Sequence, residues 1–534
     1  MRVEPRVLSG TRLVEAWLGG SPAAEGFVPG PGGDPGAYLA KAREVEDRMG
    51  PGDRRLAASA LAGGGPRGKE RLAAFVDRGG YVVITGQQPG LFGGPLYALY
   101  KGFTAAALAR RLEAVTGRPV LPVFWIASED HDWDEVRATH VLDVRNRLQE
   151  VAIPKRGPGP GNSIHRLPAG VEMAEALGRL LTLMPETDFL PKWQRLLEGV
   201  CRPESTLSDA YAELLHALLG PAGVFTAAAH DPVLKRRAIP ALLQELAESG
   251  AREEAVRRQG ETILGAGFDL QVPHLPGATN VFVELDGRRE RVFRDGAGYR
   301  LRGSDRSVTF QDIGAIAEDD PSRVSPNVLL RPVIESLLFP AIAAVAGPGE
   351  VAYLAQTAPV FAAHGIGMPV VHPRLAAAVI EAKVGKVLAK YGLAIDDLTG
   401  PFPEIAGRFA RSSIPEGVQS ALKDLRRSLG QGSARLARSV AEIDPTLTGP
   451  VRSLQSQSFA LLAEVEKKAV QSLKRANEVS LAQLRKAKLH LFPLGRPQER
   501  VLNPFYYLVR YDRAFLDALA RRAEEAVLPG PPAS

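Results

Sequence analysis

The feature that most constrains the fold is a strand–helix–strand pattern in residues 81–127. Residues 81–85 (YVVIT) and 120–127 (VLPVFWIA) are short apolar runs, each typical of a buried strand. Between them, after Pro95, a helical pattern places apolar side chains along one face: Leu96, Leu99, Phe103, Ala107 and Leu108. Because neighbouring parallel strands need such a crossover, the pattern predicts an α/β fold built on a parallel sheet.

The rest of the chain divides into segments around this unit. Apolar runs at 341–346 and 368–372, with a helical pattern at 351–364 between them, predict that the doubly wound sheet resumes there. The predicted order is a helical lead-in (1–80), a first part of the core (81–145), an inserted α+β region (146–320), a second part of the core (321–374), a helical domain (375–488) and a C-terminal segment that packs on the core (489–534).

The helical domain is rich in Ala, Leu, Lys, Glu, Arg and Gln, and its pattern predicts helices near 375–392, 416–441 and 449–487. In the last of these, core positions from Val451 to Leu484 recur about every 3.7 residues, which favours a weak or slightly right-handed supercoil. Two interpretations stay open for the domain. It is either an antiparallel arm that also pairs with a second chain or a helical domain with its own core.

The composition restricts the possible function classes. Among 534 residues the only cysteine is Cys201, so an intrachain disulfide and a four-cysteine zinc site are excluded. The net charge is +6 without a clustered basic stripe, which argues against a nucleic-acid partner. No apolar segment has the length and purity of a signal peptide or a membrane span, so a cytoplasmic protein is expected.

A glycine-rich stretch, TGQQPGLFGGPLY, follows the first predicted strand. Its glycines allow close approach of a ligand, and the helix start that follows offers free N–H groups to an anion or a carbonyl. The candidate substrate-binding residues in this stretch and in the helix behind it are Gln87, Gln88, Gly93, Gly94, Tyr97 and Lys101. Neither a P-loop nor a GxGxxG fingerprint is present, and a turn required only for packing is the alternative.

A cluster of acids, WIASEDHDWDE, follows the second predicted strand. Ligands of open α/β sheets bind at the carboxyl ends of the strands, which is where this cluster lies. His131 is predicted to transfer a proton, with Asp130 and Asp132 as catalytic partners and with Glu129 and Trp125 contacting the substrate. The alternative is structural, because Asp132 and Glu135 also fit a capping box at a helix start.

A third stretch lies at the second part of the core. Asn327 and Arg331 share a face if their segment is helical, and the arginine could clamp a carboxylate. The loop after the strand at 341–346 adds the candidate substrate-binding residues Gly347, Gly349, Glu350 and Tyr353. A packed or solvated helix face, and for Glu350 a favourable position at a helix start, are the alternatives. The histidine spacing predicts no metal site.

Long blocks of this sequence resemble one family in the family's own order. They are TGQQPGLFGGPLYALYKG, VFWIASEDHDWDEV, SPNVLLRPVIESLLFP, GPGEVAYLAQ and HLFPLGRPQER. They are similar to the BshC family, the cysteine-adding enzymes of bacillithiol biosynthesis. The resemblance implies a Rossmann-like core similar to class I aminoacyl-tRNA synthetases, with connecting insertions and an α-helical coiled-coil domain that forms a homodimer.

The resemblance also implies a reaction. L-cysteine is joined through its carboxyl group to the amine of glucosaminyl-malate, in the last step of the pathway. The HIGH and KMSKS strings of class I synthetases are missing from this sequence. How the carboxyl group is activated and whether ATP or ADP binds are therefore left open, and so is the cofactor.

The residues suit that substrate. Lys101, Arg331 and the glycine-rich helix start could bind the two malate carboxylates, and Glu129, Asp130 or Asp132 could hold an amine. His131 or a nearby carboxylate would be the base, and the N–H of Gly93 or Gly94 would stabilise an oxyanion. Two other functions stay open: an adenylate-forming or nucleotidyl-transferring enzyme with another acceptor, and a non-catalytic dimeric scaffold that binds a nucleotide.

Overall fold

A computed structural model of the chain describes residues 1–30, 34–155, 161–296 and 298–527. By its internal contacts the chain forms two compact units. The first comprises Met1–Val379 together with Gln498–Ser534, and the second comprises Ile380–Pro497.

The strands of the described residues are β1 (Arg2–Pro5), β2 (Ala62–Gly63), β3 (Tyr81–Gln87), β4 (Val120–Ile126), β5 (Ala138–Leu142), β6 (Leu148–Ala152), β7 (Phe225–Ala228), β8 (Ala278–Leu285), β9 (Arg288–Asp295), β10 (Gly298–Leu301), β11 (Ser307–Val308), β12 (Val324–Pro326), β13 (Ala341–Ala346), β14 (Val370–Pro373) and β15 (Ala377–Ile380).

The helices of the first unit are α1 (Arg12–Leu18), α2 (Pro22–Glu25), α3 (Pro35–Arg48), α4 (Pro51–Ser59), α5 (Gly68–Asp77), α6 (Tyr97–Thr116), α7 (Trp133–Val136), α8 (Val171–Leu183), α9 (Leu190–Val200), α10 (Leu207–Leu219), α11 (Pro232–Ala247), α12 (Ser249–Gly265), α13 (Phe310–Asp319), α14 (Arg331–Leu338), α15 (Pro348–Leu354) and α16 (Ala358–Ala363). The second unit holds α17 (Ala382–Tyr391), α18 (Phe402–Ser412), α19 (Glu416–Ile443), α20 (Thr448–Ala476) and α21 (Glu478–Leu491), and the first unit ends with α22 (Phe505–Tyr511) and α23 (Arg513–Val527).

The core of the first unit is a six-stranded sheet in the order β14–β13–β3–β4–β7–β2. All neighbouring strands are parallel except the short edge strand β2, which runs antiparallel to β7. The chain builds outward from β3 to β7 on one side and then from β13 to β14 on the other. This is the doubly wound order of a Rossmann-like sheet. The direction in which strands are added switches between β3 and β13, which is the topological switch point.

The region predicted as an α+β insertion, residues 146–320, also supplies one strand of this sheet. β7 falls inside residues 146–320 yet pairs in parallel with β4 in the core. Its four residues are too few to produce a clear periodic pattern, so the sequence did not mark it. The rest of the insertion supplies the helices α8–α13 and the strands β8–β11, which form a separate sheet with β12 in the order β11–β10–β9–β8–β12.

Helix α6 is buried on more sides than its single predicted apolar face implies. Every residue from Ala98 to Ala109 is buried, because the sheet covers one side and α23 packs on the other. The C-terminal segment therefore packs on the core through α23. No helix among the described residues has the length and apolar character needed to cross a membrane.

The second unit contains a long helical hairpin of α19 and α20, which pair along their length. The predicted helix at 375–392 is wrong in its first part, because residues 377–380 form β15, which pairs with β1. The last predicted helix is interrupted at Asn477, and α18 was not predicted. In the first unit, the predicted helix at 351–364 is two helices separated at residues 355–357.

Candidate active site

Polar residues follow each of the five parallel strands at the same edge of the sheet. Gln88 follows β3, Asp130 and its neighbours follow β4, Glu350 follows β13, and His230 and Arg374 follow β7 and β14. The switch point between β3 and β13 is the usual ligand crevice of such sheets. The groups predicted from the ends of β3, β4 and β13 are therefore brought to one edge of the first unit.

The glycine-rich loop is built for close packing. A Cβ on Gly90 would lie 2.1 Å from the carbonyl oxygen of Gly94, and one on Gly94 would lie 2.8 Å from Thr139 Oγ1. The N–H of Gly93 donates to the carbonyl of Gly90, and that of Gly94 donates to the carbonyl of Leu91. The N–H groups of Gly93 and Gly94, which were predicted to stabilise an oxyanion, are therefore both used within the turn.

The ammonium group of Lys101 is fully hydrogen-bonded to acceptors of the protein. Its ammonium nitrogen lies 2.6 Å from Glu350 Oε2, 2.7 Å from the Gly86 carbonyl and 3.0 Å from Gln87 Oε1. An ammonium has three donors, and all three find an acceptor here. Burial lowers the pKa of Lys101, and the charge of Glu350 opposes that shift. Lys101, predicted to contact a malate carboxylate, thus fixes Gln87 and Glu350 in place.

Glu350 occupies a helix start, which was the alternative to its predicted substrate contact. It is the third residue of α15 and accepts a hydrogen bond from the N–H of Gly347 at 2.8 Å, which caps the helix start. The same carboxylate forms the ion pair with Lys101. A Cβ on Gly347 would lie 3.3 Å from Arg374 Nε, whereas Gly349 has open space around it.

Asn327 is a structural residue. Its side-chain oxygen accepts hydrogen bonds from the N–H groups of Leu329 and Leu330, and its amide donates to Asn280. The side chain, which was predicted to contact the substrate, is buried and its polar atoms are used within the protein. Arg331 begins α14 four residues later.

Arg331 retains unused donors at the switch point. One terminal nitrogen donates to the hydroxyl of Tyr353, while Nε is buried without a hydrogen-bond partner. Nε lies 3.4 Å from Glu335 Oε1, in a pair whose side chains are 21% and 12% exposed. Arg331 thus presents a guanidinium that is reachable from solvent and only partly satisfied by the protein.

Asp130 anchors the loop after β4. It accepts hydrogen bonds from Gln88 Nε2 at 2.5 Å, from the N–H of His131 at 2.7 Å and from the N–H of Asp132 at 3.2 Å. Burial opposes its ionisation, but the Arg289 guanidinium and the Gln88 amide together lower the pKa of Asp130. The carboxylate is therefore ionised at neutral pH and holds the loop in shape.

His131 is fixed in one tautomer by Arg289. Arg289 Nη1 lies 3.0 Å from His131 Nδ1. Because a guanidinium only donates, Nδ1 is the acceptor and the ring proton is on Nε2. Burial and the charge of Arg289 lower the pKa of His131, so the ring is neutral. In this arrangement His131 offers a substrate an N–H donor, and a role as base would require it to leave Arg289.

Three other predicted residues of this loop have structural partners. Glu129, predicted to contact the substrate, forms a buried ion pair with Lys235. Trp125 is 2% exposed and packs on Phe339 in the core, because both faces of β4 are covered. Asp132 caps α7 through the N–H of Glu135, as the structural alternative predicts, but its carboxylate remains exposed.

The ring of Tyr97 lies near two cations at the edge of the sheet, Lys101 and Arg374. Its ring centroid is 5.7 Å from Lys101 Nζ and 5.4 Å from Arg374 Cζ. Burial and the negative charges of Glu135 and Glu350 raise the pKa of Tyr97 to about 12. The residue therefore carries a neutral hydroxyl at neutral pH.

Sequence reasoning missed several residues of the edge. Ser128 Oγ lies 2.7 Å from His230 Nδ1, and the rings of His230 and His165 stack with centroids 4.4 Å apart. His230 and Arg374 each follow a strand end, so the rule that singled out Asp130 could have found them. Arg289 had no such signal, because it comes from β9 in the antiparallel sheet of the insertion. No group of three metal-ligating side chains occurs within the described ranges.

Two family models match the chain. The model described as the N-terminal Rossmann-like domain of bacillithiol biosynthesis BshC matches residues 62–375, and the one described as its C-terminal coiled-coil domain matches residues 377–526. This chain belongs to the BshC family. The predicted family, the Rossmann-like core and the coiled-coil domain are thereby confirmed.

Relatives within the BshC family cover most of the chain. A protein of Salinibacter ruber is 33% identical over 504 residues, which are 93% of this chain and 91% of the relative. One of Heliobacterium modesticaldum is 33% identical over 87% of this chain and 85% of the relative, and one of Bacillus cytotoxicus is 27% identical over 85% and 84%. All three are named "Putative cysteine ligase BshC", which agrees with the predicted ligase class.

Proposed function

We propose that this BshC protein joins the carboxyl group of L-cysteine to the amine of glucosaminyl-malate, the last step of bacillithiol synthesis. The observation that carries the proposal is the partly satisfied guanidinium of Arg331 at the switch point of the sheet. Malate is linked to the sugar through its hydroxyl, so both of its carboxylates are free. A guanidinium suits a carboxylate better than an ammonium does, because it can donate two parallel hydrogen bonds.

The other substrate contacts are assigned from the donors and acceptors that the protein itself leaves unused. We assign the malyl end to Arg331 and the amine of cysteine to the exposed carboxylate of Asp132 and to Gln88 at the rim. His131, held by Arg289, supplies an N–H donor from Nε2 to a carbonyl oxygen of the substrate. The crevice at the switch point is shaped by five further side chains, which contact one another and Arg331. They are Gln87, Tyr97, Lys101, Glu350 and Tyr353.

We also propose that the protein forms a cytoplasmic homodimer through its coiled-coil domain. Exposed apolar residues recur along the helical hairpin at Leu425, Leu436 and Ile443 of α19 and at Leu454 and Leu461 of α20. Large exposed apolar stripes of this kind mark association surfaces. Sedimentation equilibrium is expected to give twice the chain mass of 57.2 kDa, and a monomer at micromolar concentration would contradict the assignment.

The function is tested with purified protein, L-cysteine and glucosaminyl-malate, with and without ATP. Mass spectrometry is expected to detect the cysteinyl amide of glucosaminyl-malate, and the ATP-free arm reports whether nucleotide is needed. Release of pyrophosphate from ATP with cysteine alone would favour an adenylate-forming enzyme with another acceptor. Cells that lose the gene and recover thiol with Arg331→Met as fully as with the wild type would favour a non-catalytic scaffold.

A further inference from the structure

Glu335 differs from the other carboxylates near the carboxyl edge of the sheet. It is buried in α14, one turn after Arg331. The charged side chains that surround it at the switch point are those of Arg331, Lys101 and Glu350. Within the described part of the chain, no group donates a hydrogen bond to its carboxylate. Arg331 Nε faces it at 3.4 Å but does not have hydrogen-bond geometry.

Four neighbouring carboxylates are satisfied by donors of the protein. Glu350 accepts from Lys101 and the N–H of Gly347, Asp130 from Gln88 and two backbone N–H groups, Glu129 from Lys235, and Glu499 from Arg374 and the N–H of Ala377. A carboxylate whose lone pairs are filled with donors is a poor proton acceptor, because protonation would break those bonds. Glu335 has no such bonds to lose.

The reaction needs a proton acceptor. The sugar amine must be in its neutral form to attack a carboxyl carbon, and His131 cannot take its proton while Nδ1 accepts from Arg289. We propose that Glu335 is the catalytic base, and that it takes one proton from the substrate ammonium. In this step the N–H bond of the ammonium breaks, its electron pair stays on nitrogen, and an O–H bond forms on Glu335. The inference rests on the proposed function.

The charges that face Glu335 set its acidity. They are Arg331 on its own helix, Lys101 from α6, and Glu350 with the Tyr353 hydroxyl from α15. Burial raises the pKa of Glu335 to about 7, with Arg331 opposing the shift and Glu350 adding to it. A base acts in its ionised form, so turnover is expected to rise with pH up to about 7 and to level off above it.

The test compares turnover at saturating substrates over pH 5.5 to 9 for the wild type, Glu335→Gln and Glu335→Asp. Removing a general base is expected to lower turnover by about 100- to 10,000-fold. In Glu335→Gln the break near pH 7 should disappear. Glu335→Asp, which keeps the carboxylate but shortens its reach, should turn over more slowly than the wild type and retain a break.

The outcomes separate the two proposals. A wild-type protein that makes no cysteinyl amide contradicts the proposed function. A wild-type protein that makes it, while folded Glu335→Gln keeps the same turnover and pH profile, overturns only the base. The glutamine variant should melt at pH 8.5 no lower than the wild type, since it removes a buried charge. If it does unfold, a folded Glu335→Asp variant with the turnover and the pH profile of the wild type decides against the base.

Discussion

Replacing Lys235 with methionine is expected to lower the free energy of unfolding by about 3–5 kcal/mol. The Lys235 and Glu129 side chains are only 4% and 8% exposed, and Lys235 also donates to the carbonyl of Val324. The substitution leaves the Glu129 carboxylate buried beneath the active-site loop without its counter-charge. Urea-induced unfolding of the purified variant measures the loss.

Two controls show whether the lost charge pair is the cause. Lys192→Met removes a lysine from a partly exposed ion pair with Asp512 and should cost less than about 1 kcal/mol. The double variant Glu129→Gln with Lys235→Met removes both charges and should recover most of the lost stability. A single Lys235→Met variant that is as stable as the Lys192 control would contradict the account of this pair.

Replacing Arg289 with glutamine is expected to raise the pKa of His131 and to lower turnover by about 100-fold or more. In the wild type the Arg289 guanidinium lowers the pKa of His131 by its charge and fixes the ring proton on Nε2. Without it, the negative charges of Asp130 and Asp132 favour the protonated ring. Histidine signals in an NMR titration measure the pKa, and the cysteine-adding assay measures turnover.

The adjacent Arg288 provides the matched control, because it lies on the same strand with its side chain exposed. Arg288→Gln should leave both the His131 titration and turnover unchanged. An Arg289→Gln protein that is folded and titrates His131 at the wild-type pH would show that Arg289 does not set the state of the ring.

The sequence was sufficient to locate the edge of the sheet that carries the site. Apolar runs ending at Thr85, Ala127 and Ala346 marked the carboxyl ends of β3, β4 and β13, and parallel strands bring such ends together. The same rule would have reached His230 and Arg374, had β7 been recognised and the residue after β14 been considered. This part of the prediction depends only on short-range pattern.

The state of each side chain could not be predicted in the same way. Lys101 looked available for a substrate because the sequence does not reveal that Glu350, Gly86 and Gln87 use its three donors. Arg289 and Lys235 reach the site from elements more than one hundred residues away from His131 and Glu129 in the chain. Whether a polar group is free or satisfied is decided by such long-range partners, which periodicity does not encode.

The central claim is that the crevice between β3 and β13 binds the substrate through the free donors of Arg331. A crystal structure of the protein with glucosaminyl-malate tests it most directly. We expect a malyl carboxylate oxygen at roughly 3 Å from the Arg331 guanidinium, with the sugar amine on the side of Glu335. Ordered glucosaminyl-malate bound elsewhere, with Arg331 still contacting only Tyr353 and Glu335, would contradict the account.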